Sequence, residues 1–138
     1  MGRSLREIYI HIVWGTKERR PFLRGDLDRY VLNELHELAD DMNLHILAAN
    51  SAWNHLHLLA RWNSSIAFAT AIKTWKAKTS LRWNKIARED PDLEEIAWQS
   101  GAGIFSVSRQ DLEKAQQYIH NQKRHHRDKT TIHQWERW

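Results

Sequence analysis

The chain contains no cysteine, and only two prolines and five glycines stand among its 138 residues. The lack of cysteine excludes a disulfide framework, a thiolate zinc site and a cysteine nucleophile together. It agrees with a reducing compartment. No apolar run reaches the length of a membrane span. The opening MGRSLREIYI meets charge before any apolar stretch of signal-peptide length, so a cytoplasmic protein with no membrane partner is expected. No repeat, low-complexity tract or linker is visible, and residues 1–138 read as a single domain. Hydrophobic residues at 41% and charged residues at 28% suit a soluble folded chain rather than a disordered one.

What the chain does have is tryptophan, histidine and segregated charge: eight Trp, nine His and a formal net charge of +4. Residues 1–24 carry six basic and two acidic side chains, as do residues 114–138, while the middle is acidic on balance. Ends that meet in space would form one basic surface suited to a polyanion. The plain alternative is a solvated face with a basic tail. Trp75 and Trp83 fall at helical positions and read as core. Trp135 and Trp138 lie beyond the last convincing helix and read as contacts with DNA or a second subunit.

Residues 6–14 alternate β-branched and aromatic side chains, a strand, followed by the basic loop KERRPFLRG. Asp26 can cap a helix to about Met42 with Leu27, Val31, Leu35 and Leu38 on one face. Strands follow at 44–49 and 54–62, close enough for a hairpin. Asn63-Ser64 caps a second helix to about Ile86, and residues 88–102 read as loop. Ile104–Val107 is a fourth strand, and Ser108 caps a third helix that fades near His126. The order β-α-β-β-α-β-α predicts an α+β fold: a ferredoxin-like split β-α-β with a four-stranded antiparallel sheet and packed helices.

His55 and His57 flank Leu56 on the third strand, so both imidazoles share one sheet face and can share a divalent metal. Nine histidines make one such pair unremarkable, and two surface histidines are the bland reading. Tyr118 and Gln122 are four apart and would be neighbours on one helix face. Gln122 can offer an amide oxygen to a hard cation, and Tyr118 a hydroxyl nucleophile. Packing is the commoner use of a helical tyrosine. Lys123, Arg124 and Arg127 follow at once with His125 and His126, a cluster suited to phosphate or to a solvated helix end.

Taken together, these residues resemble the single-tyrosine transposases of the HUH (His-hydrophobe-His) nuclease superfamily, the REP-associated tyrosine transposases included. HIVWGTKERRPFL is similar to that family's first strand and basic loop, NHLHLLA to its HUH strand, WQSGAGIFSVS to the segment entering its last strand, and YIHNQKRHH to its catalytic helix. Before the HUH strand, Ala52-Trp53-Asn54 departs from the family's usual Met-Pro-Asp/Asn. The resemblance implies Tyr118 as nucleophile and His55, His57 and Gln122 as ligands of Mg²⁺ or Mn²⁺. It implies a transposase that nicks and rejoins single-stranded DNA with hairpin ends through a 5′-phosphotyrosine, at the nucleoid of a bacterium or archaeon. Lys17, Arg19, Arg20, Lys123, Arg124 and Arg127 would be DNA contacts. The family is usually a homodimer, often sharing its tyrosine helices between subunits, and the linker at 98–103 could allow that exchange.

Two other functions fit the same residues. One is a non-catalytic ferredoxin-like binder of single-stranded nucleic acid that works through sheet aromatics. The other is a zinc-binding regulatory or structural protein that uses His55, His57 and one of His120, His125 or His126.

Overall fold

The computed structural model describes residues 4–136, so Trp138 and its neighbour Arg137 lie outside the described residues. Strand β1 (Tyr9–Gly15) leads through a short 3₁₀ turn to helix α1 (Gly25–Asp41). Strands β2 (His45–Ser51) and β3 (His55–Arg61) form a hairpin, and α2 (Phe68–Ala87) follows. A long irregular segment returns to β4 (Gly103–Val107). Helices α3 (Leu112–His120), α4 (Gln122–Asp128) and α5 (His133–Glu136) close the described chain.

The sheet order is β2-β3-β1-β4 and every neighbouring pair is antiparallel. β3 therefore sits between β1 and β2, which run parallel to each other, the split β-α-β expected from the sequence. The register pairs Val13 with His57 and Gly15 with His55 across β1 and β3.

Alternation on β3 sorts its side chains between two cores. Leu56, Leu58 and Ala60 join the core beneath α1 and α2, where Val31, Leu35, Ile72, Trp75 and Trp83 pack. Leu59 turns to the opposite face, under α3, with Ala48, Val107, Ala115, Tyr118 and Ile119. Both faces of the sheet are covered, so β3 is buried along its length except at Arg61. Trp75 and Trp83 are core as expected, and the Trp75 indole donates to the Leu35 carbonyl at 3.1 Å. Among the described residues no helix is long and apolar enough to cross a membrane.

Several local expectations are corrected. Asp26 does not cap α1; it lies inside the first turn and pairs with Arg29. Asn63 does not start α2 either. Its side-chain oxygen accepts the Ser65 N–H at 3.0 Å in a local turn, and the helix begins only at Phe68. Ser108 caps not α3 itself but the 3₁₀ turn 109–111 that leads into it, accepting the Asp111 N–H at 3.2 Å. The third helix is not continuous: Asn121, at φ −98° and ψ 20°, breaks it into α3 and α4. Tyr118 and Gln122 thus lie on different helices, although both turn to the interior. Trp135 is not a free tail residue but part of α5, packed back on the sheet face.

Candidate active site

The turn before β3 sets the first imidazole. Trp53 adopts the left-handed region at φ 64°, its carbonyl accepting the Leu23 N–H at 2.8 Å, while the Asn54 carbonyl accepts the Thr16 N–H at 2.9 Å. Asn54 then accepts the His55 Nδ1–H on its side-chain oxygen at 2.7 Å. That fixes the ring so that Nε2 faces inward. The Ala52-Trp53-Asn54 departure thus still delivers an oxygen behind the first histidine.

His57 is wholly buried, and its Nδ1 meets the Nε2 of His11 at 2.8 Å. His11 was not singled out by sequence, although alternation along β1 places it on the same sheet face as the HUH pair. Burial first, and the neighbouring His57 second, lower the His11 pKa to about 3, so it stays neutral. Burial also lowers the His57 pKa, against the pull of the Glu136 carboxylate.

Tyr118 on α3 lies over these rings, its ring centroid 5.9 Å from that of His57. His125 stacks on it at 4.6 Å and Trp135 meets it edge-on at 5.0 Å. Its hydroxyl donates to Glu136 Oε1 at 2.9 Å and accepts the Ile132 N–H at 3.0 Å. Burial pushes its pKa up to about 12, so the phenol is un-ionised in the resting site.

Glu136 is the centre of the cluster, and sequence reasoning missed it entirely. Its carboxylate lies 3.0 Å from His57 Nε2, 3.2 Å from His55 Nε2 and 2.9 Å from His126 Nε2. Burial alone would raise its pKa, but the bonds from His126, His55 and His57 outweigh it and hold the carboxyl well below the usual carboxylate range. One donor atom from each of His55, His57, His126 and Glu136 lies within 4.8 Å of the others. With Nδ1 of both HUH rings engaged behind them, these donors converge as a divalent ion requires.

Gln122, at the start of α4, is wholly buried beside the cluster with its amide against the Tyr118 hydroxyl, and neither its amide oxygen nor its amide nitrogen makes a hydrogen bond of good geometry. Leaving such an amide unsatisfied costs about 1–3 kcal/mol, a cost that points to a ligand for that oxygen. The residues present therefore fit a metal.

The basic residues divide. The loop with Lys17, Arg19 and Arg20 is exposed and bonded to the Asn54 turn, so it lies at the His55 end of β3. Arg19 donates to Gln99 Oε1 at 3.1 Å. Lys123 reaches the same end, 3.1 Å from Asp28 and 2.8 Å from Asn50 Oδ1. Arg124 and Arg127 are exposed on α4. A cavity of about 720 Å³ lies elsewhere, between α2 and residues 96–102.

Comparison with known proteins follows the same lines. No curated protein matches the chain. A candidate transposase from Deinococcus radiodurans R1 superposes with a TM-score of 0.69 at 22% identity, covering 88% of this chain and 96% of that one. A REP-associated tyrosine transposase bound to a REP hairpin superposes with a TM-score of 0.67 at 15% identity, covering 91% of this chain and 74% of that one. At such identities these structures speak for the fold. The family described as "Transposase IS200 like" matches residues 4–122, which span all four strands, both HUH histidines, Tyr118 and Gln122. The chain belongs to that transposase family.

Proposed function

We propose that this transposase cuts and rejoins single-stranded DNA at hairpin-bearing ends, with Tyr118 as nucleophile and His55, His57 and Gln122 as ligands of a divalent ion, Mg²⁺ or Mn²⁺. The observation that carries the reading is that the Tyr118 hydroxyl and the Nε2 atoms of both HUH histidines contact a single carboxylate, at 2.9, 3.2 and 3.0 Å. An oxyanion of similar size, such as a phosphodiester, would reach all three from that position.

Held by His55, His57 and Gln122, a divalent ion would supply Lewis-acid stabilisation of the charge that develops on the phosphate. Tyr118 supplies the rest: its oxygen bonds to phosphorus as the bond to the 3′-oxygen breaks. The DNA 5′ phosphate is left on tyrosine, and a 3′-OH is freed. The proton lost by the phenol is balanced by the one gained by the leaving oxygen. Attack by a later 3′-OH reverses the step on a new end, so no nucleotide hydrolysis is needed. Lys17, Arg19, Arg20, Lys123, Arg124 and Arg127 neutralise the backbone of the bound strand. His55, His57, Tyr118 and Gln122 all come from one chain, so sharing the tyrosine helix between subunits is not required. A homodimer would supply one such site to each of two element ends.

The test is a labelled hairpin oligonucleotide incubated with the protein and Mn²⁺, then run on a denaturing gel. A covalent adduct is expected with the wild type and none with Tyr118→Phe or His57→Ala. An adduct that survives Tyr118→Phe refutes the assignment. Hairpin binding without cleavage by wild type on its own flanking palindromes favours the non-catalytic binder instead.

A further inference from the structure

The HUH rings, Tyr118 and Gln122 do not account for His126 and Glu136. Both are held in place by structure of their own. Lys129 ends α4 in the left-handed region at φ 57°, and the Thr130 N–H returns to the His125 carbonyl at 2.9 Å, turning the chain back. Ile132 donates its N–H to the Tyr118 hydroxyl, and Trp135 packs edge-on against His11 at 5.2 Å. The outcome is a carboxylate delivered to three imidazole nitrogens.

The tautomers make that arrangement incomplete as it stands. His55 commits its Nδ1–H to Asn54, so its Nε2 presents a lone pair to the carboxylate. If His57 likewise donates from Nδ1 to His11, its Nε2 presents another. Lone pairs on nitrogen and oxygen 3.0–3.2 Å apart repel unless a proton or a metal cation lies between them: a proton makes the hydrogen bonds described above, and a dication would take the same place. In a tetrahedral site with bonds of 2.0–2.1 Å, neighbouring donors are about 3.3–3.4 Å apart. The nitrogen–carboxylate separations, 3.0 and 2.9 Å from His57 and His126 to Oε1 and 3.2 Å from His55 to Oε2, are shorter than that spacing, and the four donors lie within 4.8 Å of one another, so a small outward shift of the carboxylate makes room for the ion.

We propose that His126 and Glu136 are metal ligands, completing with His55 and His57 a three-imidazole, one-carboxylate centre that takes a transition-metal dication in preference to Mg²⁺. The proposal rests on the active-site reading only in taking His55 and His57 as ligands. Imidazoles suit Zn²⁺, Co²⁺ and their neighbours, whereas Mg²⁺ prefers oxygen donors and retained water. Gln122 stands outside this donor set, which leaves its amide for the DNA-bound form. Glu136 also holds the Tyr118 hydroxyl, so a phosphodiester enters by replacing it, one anionic oxygen ligand for another.

The test uses the full chain stripped with a chelator and titrated with Co²⁺, read by its visible absorption, with affinity measured by chelator competition. The wild type is expected to bind one Co²⁺ with the intense spectrum of a tetrahedral site, which Mg²⁺ does not displace. Loss of a group behind a ligand costs about 10–100-fold in affinity. Glu136→Gln and His126→Ala, which remove ligands themselves, should therefore weaken binding by about 100-fold and abolish the tetrahedral band. A weak octahedral spectrum in the wild type overturns the proposal whether or not the variants fold. So does Co²⁺ binding that is unchanged in both variants. If His57→Ala still abolishes binding in that second case, the active-site reading survives; if His57→Ala also binds as wild type, both readings fail.

Discussion

His11 carries a prediction that separates a structural histidine from one that tunes its neighbour. It is wholly buried and meets His57 Nδ1 at 2.8 Å. In His11→Ala the lost ring leaves a void in a closed core, a change of the kind that costs about 2–4 kcal/mol. The orphaned His57 nitrogen adds about 1–3 kcal/mol. Partial relaxation makes the sum an upper bound, so a loss of about 3–5 kcal/mol is expected in urea unfolding. His11→Gln keeps a hydrogen-bonding group of similar reach and should cost about 1–2 kcal/mol. Stability alone would not reveal a role toward the metal. The second readout is Mn²⁺ or Co²⁺ affinity at a temperature where each variant remains folded. Without its partner, His57 is free to choose the wrong tautomer, and affinity should fall about 10–100-fold in His11→Ala. His11→Gln should recover most of it. Affinity within twofold of wild type in a folded His11→Ala protein refutes the reasoning and leaves His11 as core filler.

Further expectations follow from the same geometry. Gln122→Met removes a buried amide with no hydrogen bond of good geometry at nearly constant volume, so the metal-free chain should gain about 1–2 kcal/mol in urea while DNA cleavage is lost. Trp75→Ala empties a wholly buried site and removes the bond to Leu35, costing about 3–5 kcal/mol by the same measurement. Burial depresses His11 to about 3 and lowers His57 as well, so the unfolded chain binds protons that the folded one refuses. Metal-free stability should therefore be fullest above about pH 6.5 and fall as pH drops toward 3, by up to about 1.4 kcal/mol per pH unit for each such histidine. Acid unfolding curves check the sign. Lys123→Ala should reduce the slope of log binding constant against log salt for hairpin DNA by about 1.

The four-stranded antiparallel sheet with its packed helices was legible because period-two alternation and helical spacing are local properties of the chain; the second core, under α3, was not. His55 and His57 were legible for the same reason, since a strand at any register puts i and i+2 on one face. The break at Asn121 was not, because neither proline nor glycine marks it and asparagine is only mildly unfavourable in a helix. The late start of α2 arose from competition: Asn63 satisfies a turn of its own rather than a cap. Glu136 was beyond reach altogether. It lies in a four-residue helix with no periodicity to read, and its direction depends on the left-handed Lys129 and on Trp135 finding His11. The zinc reading did offer His126 as one of three third donors, but only the fold of the tail distinguishes it from His120 and His125.

The burial that orders this site also closes it. His55, His57, Tyr118 and Gln122 are 3%, 0%, 3% and 0% exposed, so a DNA strand has no access to them while α5 is docked. A helix of four residues has almost no stability of its own. What holds it is a short set of contacts: Trp135 on His11 and Tyr118, the Ile132 N–H on the phenol, and the Glu136 carboxylate on the imidazoles. Each of these contacts is with a residue of the proposed active site or with His11 behind it. Opening the tail would therefore free the Tyr118 hydroxyl, the proposed nucleophile, and the imidazole nitrogens together, and the sheet core under α1 and α2 need not move. Local release of this kind draws on the low-stability end of a structure. A phosphate that took over the contacts of Glu136 would recover much of what that release costs.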